Sequence, residues 1–147
     1  KRILKTAASM GVEEIRFVPT HLGENSYRQA KIWDEYRRHL IEGAAQGGLC
    51  YLPRVIRHRD REEFVRDTAD FPRRLFYDIA PEQPAEPLRP GERGLLLIGS
   101  ERGWTMSERS YYLDAGFEPR GLGRRILTTE TACTAALALS LDELGLF

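Results

Sequence analysis

Residues that bind metals or form disulfides are scarce in this sequence. It has two cysteines, Cys50 and Cys133, whose separation matches no metal-binding motif, and three scattered histidines, His21, His39 and His58. We therefore predict no metal site, a reducing compartment such as the cytoplasm, and ordinary surface or core roles for the histidines. Cys133 falls in an apolar helical pattern and is predicted to be a small core residue.

Long apolar runs are also absent. No segment approaches the roughly 18 apolar residues of a membrane-spanning helix, and no secretion signal is visible, so we expect no membrane partner. Hydrophobic residues make up 41% and charged residues 30% of the 147 residues, which is typical of one globular domain with a buried core. The sequence begins at Lys1 without a methionine, and we expect 1–147 to be a single domain of a longer protein with a segment missing upstream.

Neither sign of charge is in excess. The 22 basic residues balance 22 acidic ones, so the chain as a whole exerts no general attraction on nucleic acid. Lysine is rare, and the predominant basic residue is arginine, which suits bidentate phosphate contacts. Seven arginines lie between Arg54 and Arg74, but five acidic residues among them favour an ion-paired surface over an RNA track. Arg120, Arg124 and Arg125 form a smaller cluster without intervening acids.

Helical and strand patterns alternate along the chain, as in α/β proteins. Helices are predicted over about 2–10, 28–45, 61–68, 105–115 and 129–144, and strands over 14–18, 54–56, 75–79, 94–99 and 117–122. The run 94–99 is continuously apolar, which predicts a central strand of a parallel sheet. The fold class is therefore predicted to be α/β, with a mainly parallel sheet flanked by helices. By its proline content, the segment 81–94 is predicted to be an extended surface loop.

Two glycine-containing loops follow predicted strands, where parallel α/β sheets bind their ligands. They are IGSERGW at 98–104 and GLGRRIL at 121–127. Glycine lets backbone amides approach a ligand and tolerates positive φ. The first loop lacks the lysine and the spacing of a P-loop, and the second is one glycine short of the dinucleotide-binding fingerprint. Each loop alone is as compatible with a structural turn as with a binding site.

Taken together, the two loops resemble a known family. IGSERGW and the segment AGFEPRGLGRRILTTETACTAAL at 115–137 are similar to the RsmE family of SPOUT-class methyltransferases, which methylate N3 of a uridine in 16S small-subunit ribosomal RNA. Upstream, AASMGVEEIRFVPT at 7–20 and EGAAQGGLCYLPRV at 42–55 resemble other parts of the same family. The resemblance therefore covers nearly all of the chain. Family members usually carry an N-terminal RNA-binding barrel, which 1–147 lacks.

The resemblance implies a fold, a cofactor and partners. SPOUT-class proteins have a deep trefoil knot in the C-terminal half, one of the few exceptions to unknotted folding. S-adenosylmethionine (SAM) would lie in the knot against both glycine loops, ribosomal RNA would be the substrate, and two copies would form a homodimer. The residues expected to bind the cofactor are Ile79, Gly99, Ser100, Glu101, Gly103, Leu122, Gly123, Ile126, Leu127 and Thr129.

The small residues of the last helix favour close packing, either within the chain or between copies. They form a stripe of Ala132, Ala135, Ala136 and Leu139. At the start of this helix the cluster 128–131 (TTET) is expected to anchor the helix that closes the knot.

Methylation of uridine N3 sets a chemical requirement. The nitrogen is protonated at neutral pH, so a base must remove the proton or cationic groups must stabilise charge on the ring oxygens. We assign Arg125, with Arg124 beside it, to that charge or to the target phosphate. Glu130 is expected to anchor the helix N-terminus to the loop backbone, with a role as base as the alternative.

Three departures from the family pattern fall at this expected site. Residues 99–103 read Gly-Ser-Glu-Arg-Gly where the family usually has Gly-Pro-Glu-Gly-Gly, so Ser100 replaces a proline and Arg102 replaces a glycine. Thr128 stands where the family usually has arginine. Leu49 follows Gly48 at a position where the family commonly has arginine. Thr128 cannot supply a positive charge. These departures leave open a second hypothesis, a SPOUT domain that binds RNA or dimerises without turnover. A third hypothesis, a nucleotide-binding oxidoreductase, is supported only by the incomplete dinucleotide-binding fingerprint at 121–127.

Overall fold

The computed structural model describes residues 1–23 and 31–147, which form five helices and five strands. They are α1 (Arg2–Ser9), β1 (Glu14–Phe17), α2 (Ile32–Gln46), β2 (Arg54–Arg57), α3 (Arg61–Asp67), β3 (Arg73–Tyr77), β4 (Gly94–Ile98), α4 (Met106–Asp114), β5 (Glu118–Arg120) and α5 (Thr129–Glu143). Each predicted element is present, with ends displaced by a few residues. The predicted start of α2 near Arg28 lies outside the described residues. No described helix combines the length and apolar content needed to span a membrane.

The strands pair in parallel, which confirms the predicted α/β class. They form two sheets, a two-stranded β1-β2 pair and a three-stranded sheet in the order β4-β3-β5. In the second sheet Leu75 of β3 lies opposite Leu96 of β4 and Glu118 of β5. Because these three strands run the same way, their carboxyl ends meet at one edge.

The prediction that 94–99 is a central strand was wrong for the sheet as described. β4 lies at one side of the three-stranded sheet, and β3 occupies the centre. The apolar run has another cause, which is that both faces of β4 are covered. Leu97 packs into an aromatic cluster with Phe76 and Tyr112, whereas Leu96 packs on the opposite face against the cluster around Leu75.

The two helices nearest the carboxyl edge are fixed by features visible in the sequence. Thr105 and Glu108 form a capping box at the start of α4, and Gly116 adopts a φ of 86° just after the end of that helix. Helix α5 packs on the sheet through Ala136, whose side chain is completely buried. Leu139 is exposed, so the small-residue stripe packs within the chain at one end and faces outward at the other.

The arginine-rich region between Arg54 and Arg74 is an ion-paired surface, as predicted. Its ion pairs are Arg54–Glu14, Arg59–Glu63, Arg61–Glu62, Arg66–Asp67, Arg73–Glu92 and Arg73–Glu118. Arg73 also donates to the carbonyl oxygens of Glu86 and Pro87 in the proline-rich loop. This loop is not simply an extended surface segment, because Leu88 within it is buried and its amide donates to the Glu143 carboxylate at 2.9 Å.

Candidate ligand cleft at the carboxyl edge of the sheet

A cleft of about 270 Å³ opens where β3, β4 and β5 end. This is the position at which parallel α/β sheets bind ligands, and the volume is close to the lower end of small-molecule sites. The structure brings the ten residues expected to bind cofactor to its walls: Ile79, Gly99, Ser100, Glu101, Gly103, Leu122, Gly123, Ile126, Leu127 and Thr129. The remaining lining residues are Tyr77, Asp78, Ile98, Arg102, Trp104, Arg109, Arg125 and Ala132.

The loop after β4 is fitted around a buried tryptophan. The indole Nε1 of Trp104 donates to the carbonyl oxygen of Tyr77 at 2.9 Å, which ties this loop to the end of β3. A Cβ atom on Gly99 would lie 3.0 Å from the Trp104 ring, closer than a side chain normally packs. Gly99 therefore serves the packing of its own loop, and its backbone remains at the cleft wall.

The loop after β5 carries the second glycine of the GLG motif. Gly123 has a φ of 95°, and a Cβ atom at this position would meet no atom within 4 Å. The glycine is thus needed for its backbone conformation, while the space beside it is open. Leu122 packs against the core cluster of Leu75 and Tyr77, whereas Ile126 is 82% exposed at the cleft. The loop therefore offers both a fixed apolar wall and an uncovered apolar side chain.

The start of α5 joins the two loops. Thr128 is the N-cap residue, and its hydroxyl accepts from the amide of Thr131. The Thr129 hydroxyl donates to the carbonyl oxygen of Gly99 at 3.2 Å, which links α5 to the loop after β4. The expected anchoring by the threonines is present. The expected contact of Glu130 with the loop backbone was wrong, because its carboxylate pairs with Arg2 of α1 at 3.4 Å.

The arginine cluster predicted from the sequence divides into three environments. Arg125 is exposed and lines the cleft, and Arg124 is exposed but does not line it. Arg120 does not belong with them, because its guanidinium forms an ion pair with Glu143 of α5. This pairing keeps the pKa of the Glu143 carboxyl below its ordinary value despite burial, which acts in the opposite direction. Only two of the three predicted cations are therefore directed to solvent near the site.

Sequence reasoning missed an ion pair in the cleft wall. Arg109 of α4 donates to the Asp78 carboxylate through Nε at 2.5 Å and through Nη2 at 3.2 Å. These hydrogen bonds raise the pKa of Arg109 above its ordinary value. The rule that ligands bind beyond strand ends could have pointed to Asp78, which directly follows β3. Nothing in the sequence pairs it with an arginine 31 residues away.

The histidines and Cys133 lie outside the cleft lining. His39 and His58 are buried, and burial lowers the pKa of His58. The backbone amide of His21 donates to the buried Glu108 carboxylate at 2.7 Å. Cys133 is half-buried and belongs to none of the described core clusters, so it is not the core residue that the sequence predicted; the burial of its thiol raises its pKa to about 11. Within residues 1–23 and 31–147, no group of histidine, cysteine and acidic side chains could hold a metal ion.

The fold and cleft define an α/β domain with a cleft of small-ligand size beyond its parallel strands, and comparison with known proteins identifies its family. Residues 1–141 match the family described as RNA methyltransferase domain. The chain therefore belongs to that family, and the resemblance to the RsmE group is confirmed.

Curated relatives agree with this family. Ribosomal RNA small subunit methyltransferase E 1 of Borreliella burgdorferi is 30% identical over 148 residues, which cover 98% of this chain and 62% of the relative. Ribosomal RNA small subunit methyltransferase E of Treponema pallidum is 34% identical over 151 residues, which cover 96% of this chain and 56% of the relative. The chain thus spans about three-fifths of the length of these relatives.

Two solved structures share the fold and contain SAM. A putative methyltransferase from Legionella pneumophila in complex with SAM superposes with a TM-score of 0.83 at 26% identity, covering 96% of this chain and 60% of that one. A ribosomal RNA small subunit methyltransferase E from Neisseria gonorrhoeae bound to SAM has a TM-score of 0.77 at 26% identity, covering 96% and 59%.

Proposed function

We propose that this domain binds SAM in the cleft and transfers its methyl group to N3 of a uridine in 16S small-subunit ribosomal RNA. The observation that carries the proposal is the convergence of all ten expected cofactor-binding residues on one cleft. The SAM found in two solved relatives and the ribosomal RNA named for the curated relatives support it.

The residues of the cleft fit this cofactor. Apolar side chains from three loops, Ile79, Leu122 and Ile126 among them, suit the faces of an adenine ring, and the glycine loops bring backbone groups to the wall. The carboxylate of Glu101 also lines the cleft and suits the positive charge of a sulfonium, whereas that of Asp78 is paired with Arg109.

Bound SAM supplies an electrophilic methyl group, and the chain must orient the acceptor and balance its charge. We assign Arg125 to the negative charge that the uridine carries once N3 has lost its proton to solvent, or to its phosphate, because this exposed arginine lines the cleft. Arg124 is assigned to a neighbouring phosphate, because it is exposed outside the lining. Glu130 is a weak candidate for the base that removes the N3 proton. Its carboxylate pairs with Arg2 and lines a separate groove between α1 and α5.

The resemblance extends this proposal to the assembly. We propose a homodimer in the cytoplasm, with a C-terminal trefoil knot around the cofactor and ribosomal RNA as the partner. Three exposed apolar side chains near the cleft, Ile79, Met106 and Ile126, support a contact between copies at this edge of the sheet. Exposed apolar atoms that lie close together are stabilised when a partner covers them.

A second candidate function is a domain that keeps the cofactor site without turnover and serves as an RNA-binding or dimerisation module. The observation that favours it is Thr128, which caps α5 at the position where the family usually has arginine. Cofactor binding depends on backbone and apolar contacts that this substitution leaves in place. Catalysis then depends on whether Arg125 provides the missing charge.

Calorimetric titration of SAM into the purified chain tests SAM binding, which both candidate functions share. We expect micromolar binding with one site per chain and a large loss in Gly123→Val, whose side chain would strain the backbone and enter the open space beside the loop. Arg66→Gln, on an exposed ion pair of α3, is the control and should bind normally. Absence of binding to the folded wild type at millimolar SAM would exclude the cofactor site.

Transfer of radioactive methyl groups to 16S ribosomal RNA or small subunits then separates the two candidates. We expect incorporation at uridine N3, mapped by nuclease digestion and chromatography of nucleosides. Binding of SAM without incorporation would favour the module without turnover. Incorporation into another nucleotide would retain the methyltransferase and reject the proposed target.

A further inference from the structure

The segment that follows β3 has an unusual backbone. Ala80 adopts a φ of 41°, and it is the one non-glycine residue with positive φ among the residues that the structure describes. Alanine in this region carries a steric cost from its Cβ atom, and such conformations persist only where surrounding contacts impose them. The residue immediately before it, Ile79, lines the cleft and is 53% exposed. The strain therefore lies at the rim of the candidate site.

Two of the contacts around this segment come from the last residue of β5 and the first residue of the loop after it. The amide of Asp78 donates to the carbonyl oxygen of Arg120 at 2.8 Å, which continues the pairing of β3 with β5. Gly121 packs so closely that a Cβ atom there would lie 2.8 Å from Pro81. A Cβ atom at Gly121 would also lie 3.5 Å from the amide nitrogen of Ala80, so these contacts hold the segment 78–81 from the side of β5.

The third contact comes from α4. The Asp78 carboxylate accepts both hydrogen bonds from Arg109, and its Oδ1 also accepts from the amide of Ile79 at 2.8 Å. The same carboxylate thus links the guanidinium to the Asp78–Ile79 peptide group, one peptide before the one that joins Ile79 to Ala80. The side chains of Arg109 and Asp78 are 34% and 17% exposed, so the pair is partly shielded from solvent.

We propose that Arg109 is a positioning residue that acts through Asp78 to hold the strained segment 78–80 in the conformation that binds the adenosine part of the cofactor. The inference rests on the proposed function for its ligand. Without Arg109, the segment relaxes toward negative φ at Ala80, and only a fraction of molecules presents Ile79 correctly. Apparent affinity then falls in proportion to that fraction.

A double-substitution experiment tests this role. Arg109→Gln should weaken binding of SAM by about three- to tenfold, and binding of 5′-methylthioadenosine, which lacks the amino-acid part, by the same factor. Ala80→Gly alone should change affinity by less than about twofold, because glycine adopts positive φ without the steric cost. In the Arg109→Gln background, Ala80→Gly should restore both affinities. Arg66→Gln is the matched control for loss of an arginine ion pair.

Other outcomes overturn the proposal. A loss confined to SAM, without rescue by Ala80→Gly, would mean that Arg109 contacts the amino-acid part of the ligand directly. An equal loss for both ligands without rescue would mean general damage to the cleft.

Hydrogen exchange at the Ile79 amide separates this proposal from the function on which it rests. We expect faster exchange in Arg109→Gln and recovery in the double variant, measured without ligand. If these changes occur while the wild type binds neither adenosine compound, the cofactor assignment fails and the positioning role stands. Unchanged exchange in Arg109→Gln would overturn the positioning role, whatever the ligand affinities.

Discussion

Thr129 at the start of α5 donates its hydroxyl to the carbonyl oxygen of Gly99, in the loop after β4, at 3.2 Å. The two residues are 30 positions apart, and both line the cleft. This hydrogen bond therefore links the last helix to the first glycine loop at the point where the ligand is expected.

Thr129→Val should loosen that connection while keeping the shape of the side chain. Loss of one partly buried hydrogen bond should cost about 1 kcal/mol in the free energy of unfolding and weaken SAM binding several-fold. Thr134→Val on the same helix is the control, because the Thr134 hydroxyl donates to its own helix at the carbonyl oxygen of Glu130. Urea unfolding and calorimetry measure the two effects. Equal affinities of the two variants for SAM would contradict a role for Thr129 in the site.

Gly99→Ala should destabilise the chain through contact with Trp104. The added Cβ would lie 3.0 Å from the ring, and an overpacked site of this kind typically costs about 1–3 kcal/mol. Trp104→Phe removes part of the indole and its hydrogen bond to Tyr77, so it is destabilising by itself. The double variant should lose less free energy of unfolding than the sum of the losses in the two single variants, because the smaller ring relieves the clash. If the two losses of unfolding free energy, measured by urea unfolding, add up in the double variant, the added Cβ atom does not clash with the Trp104 ring.

Local sequence patterns predicted much of this fold because their causes are local. The capping box of Thr105 and Glu108 marked the start of α4, and the glycine loops marked the ends of β4 and β5. The family resemblance then selected the cofactor-binding residues, whose convergence follows from parallel strands ending at one edge. The order of the strands was not predictable in this way. The apolar run of β4 reports coverage of both faces and does not distinguish the centre of a sheet from its side.

Long-range ion pairs were outside the reach of the sequence. Glu130 pairs with Arg2, 128 positions away, and Arg120 pairs with Glu143. The sequence placed Glu130 with the threonines around it and Arg120 with Arg124 and Arg125. The spacing of charged residues gives no information on where each side chain points. The Asp78–Arg109 pair was missed for the same reason. These three pairs decide which charges remain available around the cleft.

Cys133 should react slowly with alkylating reagents in the folded chain. Burial, with a smaller contribution from Glu130, raises the pKa of this thiol from 9.0 to about 11, and the thiolate is the reactive form. Cys50 is exposed and serves as the internal control. At pH 8 we expect iodoacetamide to modify Cys50 in the native chain, and both cysteines after unfolding in urea, as read by peptide mass spectrometry. Rapid modification of Cys133 in the native chain would contradict its burial.

The same shift predicts how stability depends on pH. Because the pKa of Cys133 is higher in the folded chain than in the unfolded chain, its contribution to stability is complete below about pH 9 and is lost as the pH rises toward 11. Cys133→Ala should flatten the stability curve over this interval. Parallel curves for the wild type and Cys133→Ala would mean that the thiol does not ionise differently in the two states.

Thr128→Arg restores the residue that the family usually has beside the cleft, and it should separate binding from catalysis. The substitution removes the N-cap hydroxyl that accepts from the Thr131 amide, so we expect a loss of about 1 kcal/mol in unfolding free energy. It also adds a positive charge one residue before Thr129, where a uridine anion would be stabilised. We expect methyl transfer to rise, with little change in SAM affinity.

Thr128→Ala is the matched control, because it removes the cap without adding a charge. If the cap alone matters, both variants should lose the same stability and neither should gain activity in the transfer assay. A rise in methyl transfer confined to Thr128→Arg would assign the effect to the guanidinium and count against the module without turnover. Loss of SAM binding in Thr128→Arg, with binding retained in Thr128→Ala, would instead mean that position 128 faces the cofactor. The assignment of this position to the substrate side would then be wrong.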